Sequence, residues 1–215
     1  MDKPAMEARN SIFDKNYDLY MAKLQTVSFE AAAPVIGGHI RGDSIEIPFF
    51  AKNYTVSKAG VTDASGKRPA YDVCIVLLRY ILMCPDEAPK ADEWVAYRDF
   101  RDSGPLTVFF SNDVERPIAR HFTGNIEGLK ASGAAISGYP PELDVNYDAA
   151  MQFDALPRIP MVMLFNDADD AFPATCSVLF ERRAEAYLDA ECLAILGVQL
   201  FKHLTHPSLS NFSEP

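Results

Sequence analysis

The feature that most constrains the fold is a short apolar run near the carboxyl end of the chain, at residues 160–165 (PMVMLF). Every position of the run is apolar, and charged or turn-forming residues bound it on both sides. Such a pattern predicts a strand that is buried on both faces. The polar residues at 166–170 predict a solvated loop, because unpaired carboxylates are costly to bury. Residues 175–180 return as a second strand, so the two strands predict an antiparallel hairpin.

A helix is predicted after this hairpin, over residues 189–204. Asp189 is a suitable N-cap, and Lys202 and His203 lie in the last turn, where the helix dipole favours positive charge. Gly197 costs about 1 kcal/mol relative to Ala inside a helix, and we expect another element to approach closely there. The helix has one apolar face, formed by Leu193, Leu196, Leu200, Phe201 and Leu204.

Three further helices are predicted, over residues 12–27, 71–84 and 117–131. The second of these is apolar nearly all round, which is typical of a buried central helix. Asp72 and Arg79 are its only charged residues, and their spacing places both along one edge that reaches water.

Alternation of apolar and polar residues predicts four more strands. The first two form a hairpin around a turn at 51–53, and the segment 58–69 after them predicts a surface loop. The last of the four is expected to pair with the strand at 160–165. The four segments are residues 44–49, 54–56, 94–100 and 149–156.

These elements together predict the α+β class, with a mixed or antiparallel sheet covered by helices in a single compact domain. We place the domain at residues 12–206. An N-terminal tail precedes it at 1–11, and a disordered tail follows it at 207–215.

Composition excludes several classes of function. The 215-residue chain has a formal net charge of −10, which disfavours nucleic acid and anionic membranes, because both attract clustered Lys and Arg. No apolar run approaches the ~20 residues of a membrane span, and no signal peptide is visible. The four cysteines lie in apolar segments without a C-x-x-C pair, which indicates reduced, buried thiols. We therefore expect a soluble cytoplasmic protein with no evident cofactor and no nucleic-acid or membrane partner.

Two motifs suggest ligands but favour simpler interpretations. Residues 37–44 follow the outline of a phosphate-binding loop, yet Asp43 stands where that motif needs Lys, and a strand rather than a helix follows. We interpret this segment as a turn that leads into the first hairpin. His203 and His206 are spaced i, i+3, but zinc would need two further ligands nearby. We interpret His203 as a residue that balances the helix dipole, and we predict no metal site.

The candidate ligand-binding residues flank the strand at 160–165. Arg158 precedes it, and Asp167, Asp169 and Asp170 follow it. Arg158 either anchors an anionic ligand or has a structural role, and the sequence favours the structural role. The aspartates could hold a hard cation or share a proton in a cleft, but they lack a calcium-loop pattern, so a solvated loop is favoured. Catalytic residues stay unassigned, because no nucleophilic triad can be assembled.

Several short motifs occur in order along the chain, and they resemble the bacterial and archaeal family known as domain of unknown function 3786 over most of residues 12–204. Some members of that family carry an additional cysteine-rich iron–sulfur domain, similar to one in corrinoid proteins of anaerobic one-carbon metabolism. This chain has no ligand-spaced cysteines, so any iron–sulfur cluster would belong to a partner. The resemblance implies no catalytic residues. The motifs are Ile47-Pro48-Phe49-Phe50, LLRYIL at 77–82, Trp94, Pro157-Arg158-Ile159-Pro160, Phe172-Pro173-Ala174, Leu179-Phe180-Glu181 and Tyr187-Leu188-x-x-Glu191.

Three functional hypotheses stay open at this point. The resemblance implies a binding or accessory protein of anaerobic metabolism, with a protein partner or a small-molecule ligand. The alternative is an enzyme that acts on a small molecule through the acidic residues and Arg158. The third is a structural protein that oligomerises through an apolar surface. A polar pocket that holds Arg158 with the aspartates would favour an enzyme or a ligand binder, whereas an open loop far from any cleft would exclude the enzyme as stated.

Overall fold

The computed structural model describes residues 3–90, 93–144 and 146–206, with side chains from residue 14 onward. It contains two four-stranded antiparallel sheets together with helices, so the α+β class is confirmed. The strands form two sheets where one was predicted, and all strand pairs are antiparallel. The predicted disordered tail at 207–215 lies outside the described residues.

The first half of the chain forms two helices and the first sheet. Helix α1 (Lys3–Leu24) begins within the stretch that was predicted to be an N-terminal tail. The short helix α2 (Phe29–Ile36) is capped by Ser28, whose side-chain oxygen accepts a hydrogen bond from the Ala31 N–H. The predicted alternation in β2 is confirmed, because Ile45, Ile47 and Phe49 are all buried. The strands, in spatial order, are β1 (His39–Arg41), β2 (Ser44–Phe49), β3 (Lys52–Ser57) and β4 (Gly60–Asp63).

Two predictions in this sheet are wrong. The segment 58–69 contains a strand, β4, which pairs with β3 and buries Val61. The turn between β2 and β3 is Phe50-Ala51 rather than 51–53, and Phe50 has a positive φ of 49°, which is unusual for a bulky residue. Tertiary contacts hold Phe50 in place, since its N–H donates to the Ala155 carbonyl of the other sheet at 2.9 Å.

The second sheet contains the strand from which the prediction started. Strand β7 is buried at every position except its last residue, Asn166. Its predicted pairings with the strands before and after it are both confirmed. The strands are β5 (Trp94–Ala96), β6 (Ala149–Leu156), β7 (Ile159–Asn166) and β8 (Thr175–Glu181), in the spatial order β5-β8-β7-β6.

Helices α3 (Tyr71–Leu82) and α7 (Ala190–Thr205) pack against each other in the core, as their apolar faces predicted. The two charged residues of α3 lie along one partly exposed edge that faces α7. Lys202 pairs with Asp72 at 2.8 Å, and Arg79 pairs with the α7 N-cap Asp189. No helix among the described residues is long and apolar enough to cross a membrane.

The segment between β5 and β6 departs most from prediction. The predicted strand 94–100 ends at Ala96 and continues as a 3₁₀ turn, Tyr97–Asp99. A short helix, α4 (Thr107–Phe110), runs into a π-helical turn, Ser111–Glu115. The predicted helix 117–131 is two helices, because Gly124 takes a positive φ of 72° and Asn125 caps a new start. These helices are α5 (Arg116–Phe122) and α6 (Ile126–Ala135).

Candidate functional site

A cleft of about 350 Å³ opens between the 3₁₀ turn at 97–99 on one side and α4 with the π-helical turn on the other. This volume lies at the lower end of the ~300–1,000 Å³ range of small-ligand pockets. We name it the Arg98–Arg116 cleft. It is lined by Ala96, Tyr97, Arg98, Thr107, Val108, Phe110, Ser111, Asn112, Glu115 and Arg116.

The floor of the cleft is a pair of stacked aromatic rings. Tyr97 and Phe110 lie 4.3 Å apart between ring centroids with an interplanar angle of 3°. The Tyr97 hydroxyl donates to the Ala190 carbonyl at 2.8 Å, which anchors the floor to the start of α7. Burial, with smaller effects of Asp189 and Glu191, raises the pKa of Tyr97 to about 12, so the floor is uncharged at neutral pH.

Gly197 of α7 allows the floor to approach. A Cβ at this position would lie 2.4 Å from Phe110 Cε2 and 3.1 Å from Val114 Cγ2, which is too close for an undisturbed side chain. The expectation that an element packs closely on Gly197 is therefore confirmed. The glycine fixes how deeply α4 and the π-helical turn sit on the core.

One buried serine joins the two walls. Ser103 is only 2% exposed, and its hydroxyl lies 3.0 Å from the Arg98 carbonyl and 2.9 Å from the Phe100 carbonyl. The Thr107 hydroxyl in turn donates to the Ser103 carbonyl at 3.1 Å. These hydrogen bonds fix the position of the turn that carries Arg98 relative to the first residue of α4.

Glu115 is the acidic group of the cleft. Its Oε1 accepts from the Val178 N–H of β8 at 3.1 Å, so the carboxyl group links the π-helical turn to the sheet. Burial raises the pKa of Glu115, while the Val178 N–H and the charge of Arg98 act in the opposite direction. A partly buried carboxyl of this kind titrates closer to neutral pH than an exposed glutamate does.

Two arginines supply the positive charge. The Arg98 side chain is 74% exposed, and its Nε lies 3.9 Å from a carboxylate oxygen of Asp99. Arg116 donates from NH1 to the neutral amide oxygen of Asn112 at 2.7 Å. An arginine has five N–H donors, so these contacts with the described residues leave most of the donors of both side chains for a ligand.

Arg158, the predicted anion anchor, lies elsewhere and has protein partners. Its Nε donates to the Val35 carbonyl and its NH2 group to the Pro34 carbonyl, both at 3.0 Å. Its backbone N–H donates to the Tyr80 hydroxyl at 3.1 Å. These contacts satisfy carbonyl groups at the C-terminal end of α2, which is the structural role that the sequence favoured.

Asp167 begins the loop at the opposite end of β7. Its Oδ1 accepts from the Gly124 N–H at 2.8 Å, and its own N–H donates to Asp148 Oδ2 at 2.7 Å. The carboxylate thus fastens the connection between α5 and α6 to the sheet. It borders a shallow, open groove together with Asp148, Glu127 and Lys130.

Asp169 and Asp170 lie in the same loop, exposed to solvent. The Asp169 carboxylate accepts from the Ala171 N–H at 2.8 Å and the Phe172 N–H at 2.7 Å, and these bonds lower its pKa. Arg158 precedes β7 and the aspartates follow it. Eight strand residues at ~3.3 Å each therefore separate them by roughly 26 Å. The structure does not bring Arg158 and the aspartates into one site.

The comparisons with known proteins give one match. The family model described as "Domain of unknown function (DUF3786)" matches residues 28–203 of the chain. The chain belongs to this family. No curated protein and no solved structure matches it. The DUF3786 match spans the complete Arg98–Arg116 cleft as well as Arg158 and the three aspartates.

The thiols of this DUF3786 member are free, with Cys74 and Cys192 buried and Cys84 and Cys176 partly buried. Burial raises the pKa of each thiol. Within residues 14–90, 93–144 and 146–206, whose side chains are described, no three His, Cys, Asp or Glu residues lie close enough together to hold a metal ion. The segment 37–44 leads into the first hairpin, as interpreted, but it is more than a turn. Gly37 is the left-handed C-cap of α2, residues 39–41 form strand β1, and Gly42-Asp43 join β1 to β2.

His203 does not match its interpretation as a residue that balances the helix dipole. Its ring lies 5.1 Å from the Phe50 ring, and burial lowers its pKa to about 4, with further lowering by Lys52 and Lys202. The imidazole is therefore neutral at pH 7. It packs the end of α7 against the β2–β3 turn.

None of the residues that line the cleft was singled out as a candidate from the sequence. Arg98 was placed in the predicted strand 94–100, and no helix or strand was predicted over residues 111–115, which form the π-helical turn. The one available indication was the apolar segment 106–110, which predicts burial, whereas Val108 is 69% exposed. The residues that line the cleft lie near the middle of the region that matches DUF3786.

Proposed function

We propose that this protein is a soluble, cytoplasmic binding or accessory protein of anaerobic metabolism, and that it holds its ligand in the Arg98–Arg116 cleft. One observation supports the binding role above all. The cleft combines two guanidinium groups, a partly buried carboxyl and an aromatic floor in about 350 Å³. A concave site that combines polar and charged groups with apolar surface is the usual composition of a ligand site.

The metabolic setting rests on the motifs that resemble DUF3786 and on that family's association with iron–sulfur and corrinoid proteins. The cytoplasmic setting is supported by four cysteines without a disulfide, which is typical of a reducing compartment. Neither feature identifies a partner.

The alternative of an enzyme that uses Arg158 with Asp167, Asp169 and Asp170 is not carried forward. Its residues lie at opposite ends of β7, and Arg158 already binds the carbonyls of α2. The hydrogen bonds of Asp167 and Asp169 account for their positions in the loop.

A cleft-filling variant tests the proposed function. Val108 lines the cleft and is 69% exposed, so Val108→Trp adds bulk to the opening without disturbing the core. Leu19→Trp is the matched control, since Leu19 is also an exposed apolar residue on a helix, at 51%. The three proteins are purified without oxygen, incubated with the small-molecule fraction of an anaerobic cell extract and weighed by native mass spectrometry.

We expect wild type and Leu19→Trp to retain a bound mass that Val108→Trp loses. Equal retention by all three proteins would place the ligand outside the cleft. Absence of any retained mass in wild type would count against a small-molecule ligand.

A further inference from the structure

The charge in the Arg98–Arg116 cleft is opposite in sign to that of the whole chain. The chain has a net charge of −10, yet the charged residues that line the cleft are two arginines and one glutamate. With Glu115 ionised, these three groups sum to +1. A site of this charge complements a ligand with one negative charge better than a ligand with two.

The two guanidinium groups are free to bind an oxyanion. The contact between Arg98 and Asp99 is long and exposed, and such contacts contribute little. The contact between Arg116 and Asn112 engages one N–H and neutralises no charge. Arginine presents paired donors whose geometry matches a carboxylate, and both arginines line the same cleft.

The rest of the cleft is suited to an apolar body. The Tyr97–Phe110 stack lies beneath the cleft with each residue only 2% exposed, so Ala96 and Val108 supply the apolar wall that a ligand can contact. A fully hydrated ion such as inorganic phosphate would gain nothing from these surfaces. A second negative charge would also lie close to the partly buried Glu115, which has little water to screen it.

We propose that the Arg98–Arg116 cleft binds a small organic acid, with its single carboxylate held between Arg98 and Arg116 and its apolar part against Ala96 and Val108. This assignment rests on the proposed function, because it names the ligand class of the same site.

Glu115 adds a dependence on pH. The charged and titratable groups near its carboxyl are Arg98 on the 3₁₀ turn, Arg116 on α5 and Cys176 on β8. Burial already raises the pKa of Glu115, and a carboxylate ligand raises it further by repulsion. Protonation of Glu115 removes that repulsion, so binding strengthens as the pH falls toward the pKa of Glu115.

The test uses benzoate as the probe, with benzamide as its neutral analogue and inorganic phosphate as the rival anion. Affinities are measured by isothermal titration calorimetry for wild type, the double variant Arg98→Gln/Arg116→Gln, and Arg120→Gln. Arg120 is a matched control, because it is exposed on the same helix as Arg116 and does not line the cleft. Glu115→Gln keeps an acceptor for the Val178 N–H and removes the titrating group.

We expect benzoate to bind wild type and Arg120→Gln alike, and the double variant roughly tenfold or more weakly. Benzamide and phosphate should bind more weakly than benzoate. Wild-type affinity for benzoate should fall as the pH rises from 5 to 8, through the raised pKa of Glu115, and this fall should disappear in Glu115→Gln.

Equal binding of benzamide, or full affinity in the double variant, would overturn the carboxylate assignment. Tighter binding of phosphate would overturn it in favour of a phosphate-bearing ligand. In each case, loss of the retained mass in Val108→Trp would still support the proposed function. If benzoate does not bind wild type and Val108→Trp retains its native ligand unchanged, both proposals fail.

Discussion

The arginine at the start of β7 and the two arginines of the cleft have the same chemistry and different environments. Arg158 directs its guanidinium to two backbone carbonyls at the end of α2, and its backbone N–H to a tyrosine hydroxyl. Among the described residues, Arg98 has only the exposed Asp99 carboxylate at 3.9 Å, and Arg116 has a single exposed hydrogen bond, to the Asn112 amide oxygen. The comparison shows that the acceptors already present, rather than the residue type or its motif, separate an arginine that stabilises the fold from one that can bind a ligand.

Arg158→Ala should give the largest effect on stability. It removes two charged hydrogen bonds and leaves the Val35 and Pro34 carbonyls without those donors. We expect the free energy of unfolding to fall by about 3–4 kcal/mol. Urea denaturation measures this, with Arg41→Ala as the control, since the exposed Arg41–Glu46 pair at 3.8 Å is worth ~0.5 kcal/mol or less. A loss below about 1 kcal/mol would show that Arg158 is free for another role.

His203 extends the comparison to a residue whose surroundings disfavour its charge. The folded state binds the His203 proton only near pH 4, whereas the unfolded state binds it near pH 6.5. The contribution of neutral His203 is therefore complete above pH 6.5 and is lost as the pH falls toward 4, by at most about 3 kcal/mol. The difference in unfolding free energy between wild type and His203→Gln should shrink over this range. A difference that is constant with pH would show that His203 is not buried as described.

Gly197→Ala tests whether the core sets the geometry of the cleft. Alanine favours the helix by about 1 kcal/mol, but its Cβ overlaps the Phe110 ring, and overpacking costs about 1–3 kcal/mol. We expect a net loss of about 1 kcal/mol in unfolding free energy together with weaker ligand binding. Gly104→Ala is the control, because a Cβ there meets no atom within 4 Å. An increase in stability with unchanged binding would contradict the close packing.

The aspartate loop should give the smallest effect, confined to the loop. Asp169 accepts from the Ala171 and Phe172 N–H groups. Asp169→Ala should speed the hydrogen exchange of these two amides, and Asp170→Ala should leave them unchanged. If either variant alters ligand binding in the cleft, the loop has a role beyond these hydrogen bonds.

The sequence was sufficient to predict the elements whose apolar residues follow a regular pattern and are buried in the fold. Strand β7, helix α3 and the helix around Gly197 were all predicted, because each buries nearly every apolar residue of its pattern. The Phe50 turn was not, because its positive φ depends on contacts with Ala155 and His203 that are distant in sequence.

The cleft could not be predicted for a related reason. A π-helical turn cannot be recognised from a spacing of apolar residues in the sequence. In this chain the turn ends at Glu115, whose carboxyl group accepts a hydrogen bond from β8. Arg98 and Arg116 are 18 positions apart in the sequence. They line one cleft because the contacts of Ser103, Gly197 and the Tyr97–Phe110 stack fold the intervening segment back. Arg158 was noticed because it lies beside a conspicuous strand, and its partners on α2 are more than a hundred residues away in the sequence.

Backbone amide spectra recorded during a benzoate titration test the central claim most directly, because they report where the carboxylate binds. We predict that the shifted amides cluster at residues 96–98 and 107–116, the two walls of the Arg98–Arg116 cleft. Shifts that cluster instead at Arg158, or in the loop that carries Asp167, Asp169 and Asp170, would contradict the account.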